Sequence, residues 1–436
     1  MSETGGHDDR RGHEGLRSLT EILTRGFDPK LSLGSARPAV FRSSTYVFSS
    51  PEAAERAFDL VSGRAQPNAG EYPDLIYSRF NHPNAEILED QLVPLEQGST
   101  AALVFNSGMA AIMTALMVYA KPGQAIVYTV PIYGGTQHLI QDFLQPLGIR
   151  GVPCPAGQTE AIARAIESTP ELAIVLLETP ANPTILMTDI RHAAEAAHAR
   201  RPRPMVMVDN TLMGPAFQHP LKIGADFCLY SATKYLSGFS DMIGGAVMAA
   251  EEANMQSIRS KRGLFGNILQ PDECWILDGR LPTVALRMNR ASKNAQHIAE
   301  RLTQHAAVER VHYPTLFSDE QQRQIYTKQC DYPGAMLSLE LAGGKPAAFE
   351  FLRSLKIARN AVSLGGVETL ACHPKTTTHS GFSEEEFRSA GVTDALVRLS
   401  IGIEDWRDLL ADFEQALDKA LQLAQPAGVG AAAARK

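Results

Sequence analysis

The sequence has no apolar run of the roughly 18–20 residues that a membrane-spanning helix requires. It has 5 cysteines among 436 residues. Cys154, Cys228, Cys274, Cys330 and Cys372 stand far apart and form no CxxC pair. A zinc ribbon or a disulfide framework is therefore not what organises the chain, and no metal site is expected. Reduced, mostly buried thiols are the expectation. Lys and Arg number 41 against 48 Asp and Glu, a net charge of -7, so there is no basic footprint for nucleic acid. The opening MSETGGHDDRRGHEG lacks the apolar middle of a signal peptide. The expectation is a cytoplasmic protein with no membrane or nucleic-acid partner. No GxGxxG follows a first strand and no GxxxxGK[ST] occurs, which argues against a dinucleotide fingerprint and a P-loop.

What is present is length and pattern. A chain of this size is expected to fold as two or three packed domains. Residues 1–76 are rich in Gly, Pro and Ser and read as an extended N-terminal arm of the kind that packs on a neighbouring subunit. From 77 to 280, short apolar runs alternate with helical stretches. Candidate strands are Ala101–Phe105, Gln124–Thr129, Leu172–Leu177, Met205–Val208, Asp226–Tyr230 and Gly245–Ala249. Candidate helices include Met109–Ala120, Thr136–Leu144 and Ile190–Ala199. The pattern predicts an α/β fold with a mainly parallel sheet covered on both faces. Residues 281–436 read as a smaller C-terminal α/β domain, with strands Ala335–Leu341 and Leu396–Ile401, a helix Trp406–Leu423 and a low-complexity tail. There is no internal repeat.

Ligands of such sheets bind at the carboxyl ends of the strands, so the residues closing each run are informative. Ala101–Phe105 runs into Asn106-Ser107-Gly108-Met109. That turn is either a plain helix cap or an anion site built from free N–H groups. Leu172–Leu177 ends in ETPANP, where Asn182 is either a turn residue or a polar contact. Met205–Val208 ends in Asp209, either a solvated acid or a buried carboxylate that keeps a proton on a heterocyclic nitrogen. Asp226–Tyr230 runs into Ser231-Ala232-Thr233-Lys234. A lysine desolvated there has a lowered pKa and becomes nucleophilic. An anion site, a carboxylate and an amine at the ends of one sheet suit pyridoxal 5'-phosphate (PLP).

Seven motifs in order carry a resemblance: YSRFNHPN from Tyr77, NSGMAAI from Asn106, YGGT from Tyr133, ETPANP from Glu178, VDNT from Val208, SATKYLSG from Ser231 and VRLSIGIED from Val397. With them the chain resembles the Cys/Met-metabolism PLP enzymes of fold type I, over roughly residues 35 to 424. The resemblance implies that Lys234 carries the cofactor as an imine and shuttles protons between substrate carbons. It implies that Asp209 pairs with the ring nitrogen, and that Tyr133 stacks on the ring and acts on the leaving side. Ser107, Gly108, Met109, Ser231 and Thr233 would hold the phosphate, with Tyr77 and Arg79 reaching it from a neighbouring subunit. Asn182 would lie near the ring hydroxyl, Arg398 would clamp the substrate carboxylate, and Ser363 would orient Lys234 and Arg398. A homotetramer built from two active dimers is the implied assembly.

Within that family, the residue before the serine matching Ser363 is typically glutamate in cystathionine enzymes; here it is Val362. An arginine typical of cystathionine γ-lyases is replaced by His138. Methionine γ-lyases typically carry a cysteine at Gly135 and an aspartate at Gly366. The resemblance therefore implies a γ-eliminating lyase acting on a methionine-like amino acid, an O-substituted homoserine or canavanine, giving a 2-oxo acid, ammonia and the leaving group. The alternative is γ-replacement, as in cystathionine γ-synthase or O-acylhomoserine sulfhydrylase. Two further segments have no assigned role at this level, Gln66–Leu75 before the YSR motif and His379 after a threonine run.

Overall fold

The computed structural model describes residues 17–68, 71 and 74–424. The opening polar segment, the QPAGVGAAAARK tail and four positions within Gln66–Leu75 lie outside the described residues. Seven strands form the larger sheet: β1 (Ala101–Phe105), β2 (Ala125–Val130), β3 (Arg150–Pro155), β4 (Leu172–Glu178), β5 (Met205–Asp209), β6 (Phe227–Ser231) and β7 (Gly245–Ala249). Their order is β1-β7-β6-β5-β4-β2-β3. The strands β2 to β6 are mutually parallel, and β7 runs antiparallel to both of its neighbours.

Side chains alternate across a strand, and here both sets are apolar. Val175 and Leu177 join one core cluster, while Ile174 and Leu176 join another on the opposite face. Helices cover both faces, which is why β4 is buried along its whole length. The strand β3 is one that the apolar pattern did not predict. It lies at the sheet edge, contains Gly151, Pro153 and Pro155, and is largely not buried.

The C-terminal sheet contains β8 (Val308–His312), β9 (Met336–Leu341), β10 (Arg359–Asn360), β11 (Leu370–Cys372) and β12 (Leu396–Ser400), in the order β10-β11-β12-β9-β8. The helices Gly344–Ser354 and Trp406–Ala424 pack on it through Phe351 and Phe413. The helix Val284–Leu302 belongs to both halves. Val284 and Met288 enter the large-sheet core, and Ile298 and Leu302 enter the C-terminal core. That shared helix sets β12 against the strand ends of the larger sheet.

Two local expectations change. The segment 1–76, read as extended, holds helices at Ser18–Thr24 and Pro51–Val61 in its described part. The second begins with Ser50 accepting from the Ala53 N–H at 3.2 Å and has proline in its first turn, a start signal present in the sequence. Ile22 from the first packs into the large-sheet core. The stretch Thr136–Leu144, expected as one helix, is a short α-helix at Gly134–His138 followed by a π-helical turn at Leu139–Leu144. Among the described residues, no helix is long and apolar enough to cross a membrane, and no cluster of His, Cys, Asp or Glu is placed to hold a metal ion.

Candidate active site

The strands β4, β5 and β6 end side by side. Glu178 closes β4 directly opposite Asp209 on β5, and Ser231 closes β6. Asp209 accepts the Thr211 N–H at 3.0 Å, and burial raises its pKa above the usual carboxylate range. Glu178 is buried as well, and burial together with the Asp209 charge raises its pKa. It accepts the Tyr133 N–H at 2.7 Å and the Asn182 N–H at 3.0 Å. One carboxylate thus anchors two loops that reach the site.

Lys234 sits in the turn after β6, its Nζ donating to Ser363 Oγ at 2.7 Å. Burial first, and the Arg398 charge second, lower its pKa from 10.5 to about 8. Arg398 lies on β12, 3% exposed. It donates to Asn182 Oδ1 at 3.1 Å and to the Ser363 carbonyl at 2.8 Å. Its Nε is buried without a partner. A buried guanidinium with one idle donor is an open half of a carboxylate clamp. Ser363 holds φ at 88°, where a residue with a side chain is strained by about 1–3 kcal/mol. That strain falls on the residue that meets both the amine and the guanidinium.

His379, left without a role by the sequence, is 1% exposed and faces the same cluster. Its Nδ1 lies 2.8 Å from Thr378 Oγ1 and its Nε2 3.2 Å from the Asn182 carbonyl. The carbonyl requires Nε2 to carry the proton, so Nδ1 accepts. Burial and the Arg398 charge push its pKa down to about 4, which keeps it neutral. Glu178 likewise stood inside a quoted motif with no role assigned. The signal for both was an ionisable residue beside a strand end or a proline turn, a pattern shared with many surface loops.

The turn before the helix Gly108–Tyr119 has Ser107 as its cap, Oγ accepting the Ala110 N–H at 3.0 Å. The Gly108 and Met109 N–H groups lie in the first turn, where a helix supplies no partner. Close approach demands glycine here. A Cβ on Gly108 would stand 3.0 Å from Ser231 Cβ, and one on Gly245 would stand 2.2 Å from the Ser107 carbonyl. Thr233 Oγ1 accepts the Gly244 N–H at 3.0 Å. Tyr133 is 45% exposed and lines a cavity of about 400 Å³ together with Val362, Gly135 and His138. Gly366 packs elsewhere, against the Glu368 carboxylate.

Tyr77 and Arg79 are not brought to this cluster by their own chain. Tyr77 bridges Thr45, and Arg79 donates to the Gly263 carbonyl at 2.6 Å. No interaction among the described residues links either to Lys234 or Ser231.

The donor set fits PLP. It offers a helix start bared by glycine toward Ser231, a buried acid at the next strand end, an amine of lowered pKa, and a guanidinium with an idle N–H. Comparison with known proteins agrees. The chain is 37% identical to an L-methionine gamma-lyase of Fusobacterium nucleatum subsp. nucleatum, covering 88% of this chain and 94% of that protein. It is 37% identical to a cystathionine gamma-lyase of Bacillus subtilis, covering 82% and 92%. The crystal structure of cystathionine gamma synthase from Xanthomonas oryzae pv. oryzae in complex with cystathionine superposes with a TM-score of 0.84, at 31% identity, covering 94% and 99%. Residues 20–418 match the family model of the Cys/Met metabolism PLP-dependent enzymes, and the chain belongs to that family.

Proposed function

We propose that the protein is a PLP-dependent lyase that eliminates the γ-substituent of an amino acid, releasing a 2-oxo acid, ammonia and the displaced group. The substrate class is methionine and its analogues, including O-substituted homoserines and canavanine. The observation that carries the reading is the pairing of an amine with pKa about 8 and a half-open guanidinium, joined through Ser363. Relatives named for methionine and for cystathionine cleavage support it.

When bound, PLP supplies an electron sink for the bonds broken at the substrate's α and β carbons. Arg398 binds the α-carboxylate, with Asn182 and Ser363 fixing the guanidinium plane. Lys234 Nζ would take the Cα proton, hand it on to the cofactor side and so return to the free amine, and then take one from Cβ, with Ser363 Oγ steering the amine between the two positions. Asp209 would hold a proton on the cofactor's ring nitrogen. The Tyr133 hydroxyl gives a proton to the departing γ-group, so that it leaves as a neutral species. Asn182 would lie near the ring hydroxyl. Ser107, Gly108, Met109, Ser231 and Thr233 bind the phosphate, completed by Tyr77 and Arg79 of a second subunit. The working unit is then at least a dimer, assembled as a cytoplasmic tetramer, with part of the described segment before residue 77 contacting the neighbour, residues 77–280 holding PLP and the described residues from 281 to 424 closing the site.

Incubation with methionine alone, and separately with O-acetylhomoserine or O-succinylhomoserine plus a thiol, tests the assignment. The 2-oxo acid and the displaced thiol should form from methionine alone. A thioether product without 2-oxo acid would make the protein a γ-replacing enzyme instead.

A further inference from the structure

Asn182 is gripped from three sides. Its N–H donates to Glu178 Oε1 at 3.0 Å, its side-chain Oδ1 accepts from Arg398 at 3.1 Å, and its carbonyl accepts from His379 Nε2 at 3.2 Å. Glu178 belongs to β4 of the larger sheet and His379 to the C-terminal half. Each half of the molecule therefore holds one face of the Asn182 peptide. With the peptide fixed, the short side chain has little freedom, and so has the guanidinium that donates to it.

His379 is built as a fixed donor. Its Nδ1 lies 2.8 Å from Thr378 Oγ1, its backbone N–H donates to the Pro374 carbonyl at 3.0 Å, and its ring meets Phe382 edge-on at 5.1 Å. Phe382 packs in a small apolar cluster with Leu396, which lies on the same strand as Arg398. The strand that carries the guanidinium thus also braces the histidine. The ring lines the cavity, yet both of its nitrogens are engaged, so it has neither a lone pair nor an N–H to offer a substrate. Burial and the Arg398 charge keep it neutral, so it donates to the carbonyl without placing a second cation beside the guanidinium.

We propose that His379 is a positioning residue for substrate binding: by donating to the Asn182 carbonyl it sets the Asn182 amide, and through that amide the plane in which Arg398 meets the substrate α-carboxylate. This rests on the clamp assigned to Arg398 above. The carboxylate is gripped alike before and during bond breaking, so lost alignment raises KM and leaves kcat nearly unchanged. Ligands without a carboxylate do not feel it.

Norleucine and pentylamine differ only by the α-carboxylate, and neither carries a γ-leaving group. Their binding to the PLP-loaded protein, read from cofactor absorbance, isolates the clamp. His379→Phe keeps a ring against Phe382 and removes the donor. His379→Asn keeps an amide too short to reach the carbonyl, and His379→Gln sets an amide nitrogen near the place of Nε2. In H379F and H379N, norleucine should bind about tenfold more weakly, one lost hydrogen bond, while pentylamine stays within about twofold. KM in 2-oxo acid formation should rise by the same factor with kcat held within about twofold. H379Q should recover most of the norleucine affinity. The H379N and H379Q pair decides the matter if H379F does not fold, and cofactor absorbance verifies loading of each. Equal weakening of both ligands, or H379Q no better than H379N, overturns the proposal and leaves His379 a packing residue. A parent protein that binds norleucine no better than pentylamine would instead remove the Arg398 clamp, and the proposal with it.

Discussion

Replacing Lys234 by methionine in the cofactor-free protein separates the cost of burying the amine from its use. The folded-state pKa is lowered from 10.5 to about 8. A depressed folded pKa means that the neutral form is the stabilising one. Its contribution is present above the unfolded value and is lost as pH falls through the folded value. At pH 7 both states are protonated, and the native state carries the full penalty of 2.5 units, about 3 kcal/mol. The methionine variant removes that penalty and also removes the 2.7 Å bond to Ser363, which contributes about 0.5–1.5 kcal/mol. At pH 7 the variant should therefore be the more stable protein by about 2 kcal/mol. By pH 10 the gap should close, and above 10.5 it should change sign. Thermal unfolding of the two apoproteins across that range reads the difference directly, because every other group titrates in both. A variant no more stable at pH 7, or a gap that does not narrow with pH, refutes the argument. The same shift has a functional side, since at neutral pH it gives about 300-fold more free amine than an ordinary lysine has. Reconstitution with PLP should accelerate with pH and level off near pH 8.

Glu178→Gln leaves one of the Tyr133 and Asn182 N–H groups facing an amide donor, an expected loss of about 1–3 kcal/mol. Because the folded pKa of Glu178 is raised, its contribution is present at acid pH and lost as pH rises, so wild type should lose its advantage over the variant toward neutral pH in paired melts. Arg262→Met removes the cation that joins Glu89, the Val104 carbonyl and Asn81 inside the core, leaving the buried Glu89 with only the half-exposed Arg259 at 3.8 Å as a counter-charge. The expected destabilisation is about 3–5 kcal/mol, partly recovered by adding Glu89→Gln, as urea unfolding would record. Arg79→Ala and Lys234→Ala chains, each inactive alone, should regain activity when mixed, since one site of the hybrid dimer then draws both native residues. Mixing without recovery would place Arg79 and Lys234 in the same chain's site.

The sheet was legible where burial on both faces makes a strand continuously apolar, as at Leu172–Glu178. It was not legible at β3 and β8, which lie at sheet edges and carry Gly, Pro or charge within the strand. The Pro51–Val61 helix was legible from its Ser-Pro start, yet the glycine and serine content around it favoured an extended reading. Of the candidate site, Lys234 and Asp209 could be singled out because their motifs are local. Glu178 could not be assigned a role, because its function is to accept N–H groups from two separate loops, and only the fold brings those together.

The same distinction explains why the two ends of the pocket differ in how they are specified. The reacting end is anchored at the strand termini of the larger sheet, with Ser363 and Arg398 brought to it from the C-terminal half, and sheet geometry there allows few alternatives. The rest of the cavity is lined by His138 at the end of a short helix, by Val362 and by Gly381, from separate segments of the chain. Each of these can change without disturbing the sheet core or the amine. Relatives about 37% identical to this chain carry the names of a methionine lyase and of a cystathionine lyase, so likeness at this level does not by itself fix the substrate. It follows that exchanging only Gly135, His138 and Val362 for the residues of a relative should shift the substrate ratio, and should leave the pH at which PLP reconstitution levels off near 8.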